Sequence, residues 1–299
     1  MKALIYVTHL LGTGHLARAM VLARAMVADG HHVSVVSGGM PLFTIDAEDV
    51  EFFQLPPLRS DGVNFTRLLD EDGNEASAGY LARRTEKALT CLNDVQPDVV
   101  VTELFPFGRR ILTAEFRAIL EAAQSMQPRP LICCSIRDIL APPSKPEKAE
   151  VADRMVAQFY DAVLVHADPA ITPLDASWPV SDRLREKLIY TGFVAPPRTG
   201  PHPQSAAHGK ILVSAGGGSV GDTLFTTVLE AATQDRTLAW HLLVGGAEAE
   251  ADAAALRARA PASVVVETVR PDFRSMLYHA AASVSLCGYN TALDILQAG

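Results

Sequence analysis

Apolar and polar positions along the chain keep two rhythms. Short contiguous apolar runs rich in β-branched residues read as buried strands, and stretches with apolar residues three or four apart read as helices. Residues 4–7 form the first run. Leu16, Met20, Ala23 and Val27 then recur at helical spacing up to Asp29-Gly30, and residues 33–36 predict the second strand. Residues 50–55 predict a third. The stretch 56–79, with Asp70-Glu71-Asp72-Gly73-Asn74, loses both rhythms and predicts a long surface excursion. Leu81, Thr85, Ala88, Leu92 and Val95 mark a helix stopped by Pro97; its Arg83-Arg84 pair reads as solvated. Strands over 98–102, 131–136, 162–166 and 188–191 follow, with helices over 113–126 and 147–159 between them. This alternation predicts parallel α/β layers.

The rhythm breaks from Val194 to Gly209, a stretch rich in Pro, Gly and small polar residues that reads as a semi-rigid linker over 196–209. It then restarts with strands over 211–215, 240–244, 264–267 and 283–286, and helices over 222–232, 248–258, 272–281 and 291–297. The expected architecture is α/β, with two Rossmann-like doubly wound parallel-sheet domains at 1–195 and 210–299. The second is small for a domain. The sequence stops at Gly299, where another strand is due, so the second domain is expected to be incomplete and the chain to have little or no activity as it stands.

Composition narrows the function. The 299 residues are 48% hydrophobic and 20% charged, as in globular domains. A net charge of −8, from 26 basic and 34 acidic residues, argues against a nucleic-acid binder. The four cysteines show no CxxC spacing, and no apolar run is long enough to span a membrane. The apolar start is broken by Thr8-His9 and by Gly12-Thr13-Gly14-His15, so no signal peptide is read, and a cytoplasmic location is expected.

Three glycine loops carry candidate chemistry. Gly12-Thr13-Gly14-His15-Leu16-Ala17 lies between the first strand and helix and matches the dinucleotide pattern GxGxx(G/A), in which glycines let backbone approach a diphosphate. An NAD site also needs an acid at the end of the second strand, and Ser37-Gly38-Gly39 stands there instead. Gly216-Gly217-Gly218-Ser219 follows the first strand of the second half and suits an anion nest. Cys287-Gly288-Tyr289-Asn290-Thr291 precedes the last helix, with Asn290 or Thr291 as its expected cap and Asp294 near its first turn.

These features resemble the GT-B nucleotide-sugar glycosyltransferases. The residues that carry the likeness are Gly12-Thr13-Gly14-His15, Gly288-x-x-Thr291-x-x-Asp294, Thr102–Arg110, Ser135-Ile136-Arg137-Asp138, Tyr190-Thr191-Gly192 and Phe273–Leu277. The chain is similar to glycosyltransferase family 28, the peptidoglycan N-acetylglucosaminyltransferase group, and to bacterial proteins known only as predicted glycosyltransferases. The resemblance implies an acceptor site in the first domain and a donor site in the second, facing across a cleft. The donor, a UDP-sugar by analogy, would meet Gly216, Gly217, Gly218, Ser219, Phe273, Gly288, Asn290 and Thr291. Asp294 stands where the family places a ribose-binding Glu. It also implies inversion, no metal and no cofactor beyond the donor, and an unidentified acceptor that by analogy is membrane-associated, with the enzyme peripheral to the inner membrane.

Glycosyl transfer needs a base for the acceptor hydroxyl and positive charge for the leaving diphosphate. His15 is the first candidate base, because a helix N-terminus lowers an imidazole pKa and keeps it neutral. Glu103, just past a strand, is the second and Asp138 the third; each equally suits a helix cap or loop acid. Gly12, Thr13, Gly14, Arg109 and Arg137 are candidates for an acidic acceptor or its phosphate, Arg110 is expected to be solvated, and His9 to be structural. A nucleotide-sugar hydrolase or 2-epimerase of the same fold, and a nucleotide-sugar-binding protein without catalysis, are the alternative readings.

Overall fold

A computed structural model describes residues 1–42, 49–61, 67–216, 221–246 and 248–299. By internal contacts the chain divides into two compact units, Met1–Leu11 with His15–Val194, and Gly12–Gly14 with Ala195–Gly299.

The first unit is built on β1 (Lys2–Val7), α1 (Gly14–Ala28), β2 (His32–Gly39), β3 (Glu51–Ser60) and β4 (Leu68–Leu69). Next come α2 (Ala78–Val95), β5 (Val99–Glu103), α3 (Thr113–Ser125), β6 (Leu131–Arg137), α4 (Pro146–Phe159), β7 (Ala162–His166), α5 (Asp182–Arg185) and β8 (Leu188–Tyr190). The strands form one sheet in the order β4-β3-β2-β1-β5-β6-β7-β8, parallel except for β4. Order reverses at β1, where β2 pairs on one side and β5 on the other. In such open sheets ligands bind beyond the carboxyl ends of the strands at the reversal. Successive residues of β1 point to opposite faces: Leu4 and Tyr6 join the core that includes Phe116 and Leu92, and Ala3, Ile5 and Val7 join the one under α1.

Two expectations change here. Part of the predicted excursion is strand, since β3 continues through Pro56-Pro57 to Ser60. Proline has no N–H to give the ladder, and the pairing with β2 shifts register between Ser37 and Gly39. The Gln54 amide fills the gap, donating to the carbonyls of Ser37 at 3.2 Å and Gly39 at 2.8 Å. Arg84 is not solvated: it is fully buried on α2. Its guanidinium donates to both oxygens of Glu115 on α3 at 3.0 Å, to Gly38 O at 2.9 Å and to Pro56 O.

The second unit contains β9 (Ile211–Ser214), α6 (Asp222–Gln234), β10 (Trp240–Val244), α7 (Ala249–Arg257), β11 (Val264–Thr268), α8 (Phe273–Leu277), β12 (Ala282–Ser285) and α9 (Tyr289–Ala298). Its strands form a parallel sheet in the order β11-β10-β9-β12. α8 has five residues rather than the ten expected, because His279 and Ala280 bond three residues back, to Met276 and Leu277. The stretch expected to be a linker packs on this unit. Ala207 is buried beside Leu212, Leu243 and Met276, and His202 Nε2 lies 2.8 Å from Asp272.

Candidate active site

In the first unit the site is assembled where β1, β5, β6 and β7 end. The chain leaving β1 turns through residues 8–13 and enters α1, which sets His15 in the first turn of that helix. Glu103, expected just past a strand, is instead the last residue of β5. The next strand over supplies Ser135, paired in register with Glu103, and His166 ends β7 beside Arg137.

The two leading candidate bases are brought together. His15 Nδ1 lies 3.0 Å from Glu103 Oε1, and the same oxygen pairs with Arg18, one turn further along α1. The Glu103 side chain is 2% exposed, whereas that of His15 is 25% exposed. Burial alone pushes the Glu103 carboxyl up, but the Arg18 charge and the bonds from His15 and Ser135 prevail and bring it down to about 2. Glu103 is therefore a fixed anion near neutrality. It has no proton to give, and its site is already filled by donors, which suits it to hold an imidazole rather than to act as the base itself.

That anion sets the histidine's state. A carboxylate only accepts, and two lone pairs would repel at 3.0 Å, so His15 donates from Nδ1 and carries its lone pair on Nε2; the Arg18 guanidinium, 3.3 Å from Nδ1, gives its proton to Glu103 Oε1 instead. The imidazole pKa lies below its ordinary value, chiefly through burial; contact with Glu103 opposes the shift, and the Arg109 and Arg18 charges add to it. Burial, rather than the helix N-terminus expected from the sequence, is the leading cause.

Arg109 stands in the left-handed region at φ 58° and donates from Nε to Thr8 O at 2.5 Å. Among the described residues it has no carboxylate in ion-pair contact. Burial lowers it to about 10, so it is still a cation at neutral pH. Arg137 and Asp138 pair with each other at 3.1 Å, which leaves the third candidate base engaged with an arginine. Arg110 donates to Phe107 O at 3.0 Å. His9 is buried, and burial takes it down to about 4. Sequence reasoning missed Arg18 and Ser135 as partners of Glu103, and His166 as the partner of Ser135. The only signal was their place in the first helix and at the ends of neighbouring strands.

In the second unit, two glycine loops leave adjacent strands at one edge. Ser214 of β9 is paired with Ser285 of β12, so Gly216 and Gly288 both follow carboxyl ends of neighbouring strands. Gly216 has φ +86°, open to glycine at no steric cost, and its N–H donates to Ser214 Oγ at 3.1 Å. Gly217, Gly218 and Ser219 lie outside the described residues. The helix cap differs from expectation: Gly288 is the N-cap of α9 and Asn290 and Thr291 lie inside its first turn, with no side-chain cap bond. Thus the first N–H groups of α9 are not capped from its own N-cap residue. Phe273 opens α8 and packs against the core around Leu243. Asp294 is held by Arg274 Nε at 2.8 Å, and Arg274 also donates to Pro197 O at 2.9 Å. Burial raises the Asp294 carboxyl even against that cation.

No protein-family model matches the chain, and no curated protein matches it in sequence. Solved structures do match. MurG of Acinetobacter baumannii superposes with a TM-score of 0.55 at 16% identity, covering 100% of this chain and 77% of that one. Phytolacca americana UGT2, complexed with UDP-2-fluoro-glucose and pterostilbene, gives 0.58 at 11% identity, covering 98% and 78%. The S. aureus MnaA co-structure with UDP gives 0.57 at 13% identity, covering 96% and 74%. The fold is GT-B. Within a GT-B chain the two glycine loops after β9 and β12 and the histidine opening α1 occupy the carboxyl edges of their respective sheets, where α/β folds bind ligands.

Proposed function

We propose that this chain is a nucleotide-sugar glycosyltransferase: the second unit takes a UDP-sugar and His15 of the first removes the proton of an acceptor hydroxyl. The observation that carries the reading is the His15–Glu103 pair. A buried, ionised carboxylate holding Nδ1–H leaves Nε2 as a lone-pair base on a side chain that still reaches solvent, which is the arrangement general-base catalysis requires. As the acceptor oxygen attacks the sugar carbon, Nε2 takes its proton, and Glu103 stabilises the imidazolium that forms. The bond to the diphosphate breaks, and the leaving group's charge meets the glycine loop at 216–219 and the N-terminal turn of α9. This needs no metal. The charge of Arg109, near His15 and without a carboxylate in ion-pair contact among the described residues, favours an acceptor that carries an acidic or phosphate group. A hydrolase or 2-epimerase of the same fold is the second reading, since Gly14-His15 followed by Arg18 resembles the hydrolase group.

The test is UDP release and product analysis from UDP-glucose and UDP-N-acetylglucosamine, with and without a panel of hydroxyl acceptors. Acceptor-dependent UDP release with a glycosylated product is expected. UDP release without acceptor would replace transfer by hydrolysis, and saturable UDP-sugar binding with no turnover would remove catalysis. His15→Ala should lower kcat by about 10²–10⁴-fold, the usual worth of a positioned base, while donor affinity is kept; unchanged turnover removes His15 from the mechanism.

A further inference from the structure

The two oxygens of Glu103 have different company. Oε1 faces His15 and Arg18; Oε2 accepts the Ser135 hydroxyl at 2.5 Å. Ser135 Oγ lies 2.9 Å from His166 Nε2, and His166 Nδ1 lies 2.8 Å from Thr191 Oγ1. Ser135 and His166 are fully buried, while Thr191, just past β8, is exposed.

Chemistry fixes the direction of every bond in this string. Glu103 is an anion, so Ser135 spends its single proton on Oε2. Its oxygen can then only accept from His166, which therefore donates from Nε2 and offers Nδ1 as acceptor to the Thr191 hydroxyl. Burial takes His166 down to about 4, so it is neutral near pH 7 and keeps this one arrangement. A buried histidine is a costly way to fill space unless both ring nitrogens are satisfied, and here both are.

We propose that Ser135 and His166 are positioning residues for His15, acting through Glu103: the string pins Oε2, which turns Oε1 toward His15 Nδ1 and holds the imidazole in the tautomer with Nε2 free. The proposal rests on His15 being the base. A carboxylate held at one oxygen only can rotate about its last bond, and an imidazole whose partner rotates loses both its orientation and its fixed tautomer.

The experiment is ring-nitrogen NMR of the full chain labelled with 15N-histidine, followed through a pH titration. In the native chain His15 should carry its proton on Nδ1 and His166 on Nε2. Besides Glu103, the groups facing His15 are Arg18 on its own helix, Arg109 after β5 and His9 after β1. None of these is altered in the variants. Ser135→Ala frees Oε2, so the carboxylate can rotate and the imidazolium loses part of its partner. The Nδ1–H tautomer should lose population and the His15 titration midpoint should fall, the acid limb of kcat/KM with it, while kcat falls about tenfold and KM for the UDP-sugar stays. His166→Gln keeps an N–H for Ser135 and should restore native behaviour, whereas His166→Leu should not. Thr191→Val, at the exposed end, is the variant safest for folding; it should move the His166 ring signals and pass a smaller fall to His15.

Unmoved His15 signals in folded Ser135→Ala overturn the proposal, as do unmoved signals in Thr191→Val should Ser135→Ala not fold. The ring signals need no substrate, which separates the two failures. If they move as stated but His15→Ala keeps full turnover, the base assignment fails. If His15→Ala is inactive and the signals stay fixed, the string alone fails.

Discussion

Glu103 and the histidines around it tie function to the pH dependence of folding. Glu103 sits at about 2 in the fold, below the ordinary carboxylate value near 4.3, so it contributes stability that is present above that value and lost as pH falls toward 2. His9 and His166 sit at about 4, below the ordinary 6.5. The unfolded chain binds their protons first, so stability is full above pH 6.5 and declines as pH falls to 4. Each buried histidine accounts for about 3 kcal/mol over that window. The urea midpoint of the first unit should therefore drop steadily between pH 7 and 4, read from Trp178 fluorescence in a Trp240→Phe background. His166→Gln should make the decline shallower. A midpoint flat over this range would contradict the burial of these rings.

At the scale of elements, the left side of the first sheet is held by one ion pair. Arg84 of α2 meets Glu115 of α3 with both carboxylate oxygens used, Tyr6 of β1 adds a hydroxyl at 2.5 Å, and the remaining guanidinium N–H groups fix the carbonyls of Gly38 and Pro56. Four elements converge on one buried cation, and the backbone at Gly38 comes so near that a Cβ would meet Arg84 at 2.5 Å. Removing one partner of such a pair leaves the other charge buried alone. Arg84→Met should cost about 3–5 kcal/mol, measured by urea unfolding, and adding Glu115→Gln should recover part of it. Loss near zero would mean that the pair is dispensable. The helical rhythm of α2 was legible because its apolar positions repeat. Arg84 was not, because a charged residue on that face looks like a solvated one until its partner arrives from 31 residues away.

For the whole molecule, the main revision concerns what joins the halves. Residues 195–209 belong with the second unit, fastened by His202 to Asp272, by Arg274 to the Pro197 carbonyl, and by Tyr278 to the Thr199 carbonyl at 2.5 Å. Asp272 is held well below the usual carboxylate range by the two-bond grip of Arg270, against the opposing effect of burial and with the help of His202. A Pro-rich, polar stretch has the composition of a free linker, but its contacts lie in and beside α8 and at Gln297 of α9, far along the chain. In the full-length protein, His202→Ala should speed protease cleavage within 196–209 several-fold, with the cut sites read by mass spectrometry. Equal rates in both chains would show that the segment is held without this histidine.

The sequence by itself determined the two α/β halves, the glycine loops and the histidine in the first loop. Strand and helix rhythms follow from which residues must leave water, and glycine loops from which backbone conformations need no side chain; both are local properties. Only the tertiary structure decided that Glu103 is a buried anion bonded to His15. It also decided that Arg84 is core, that Asp294 belongs to Arg274, and that Ser135 and His166 stand behind the site. The reason is the same in each case. The state of an ionisable group is set by its burial and its partners, and those partners come from strands and helices that meet only once the sheet has formed.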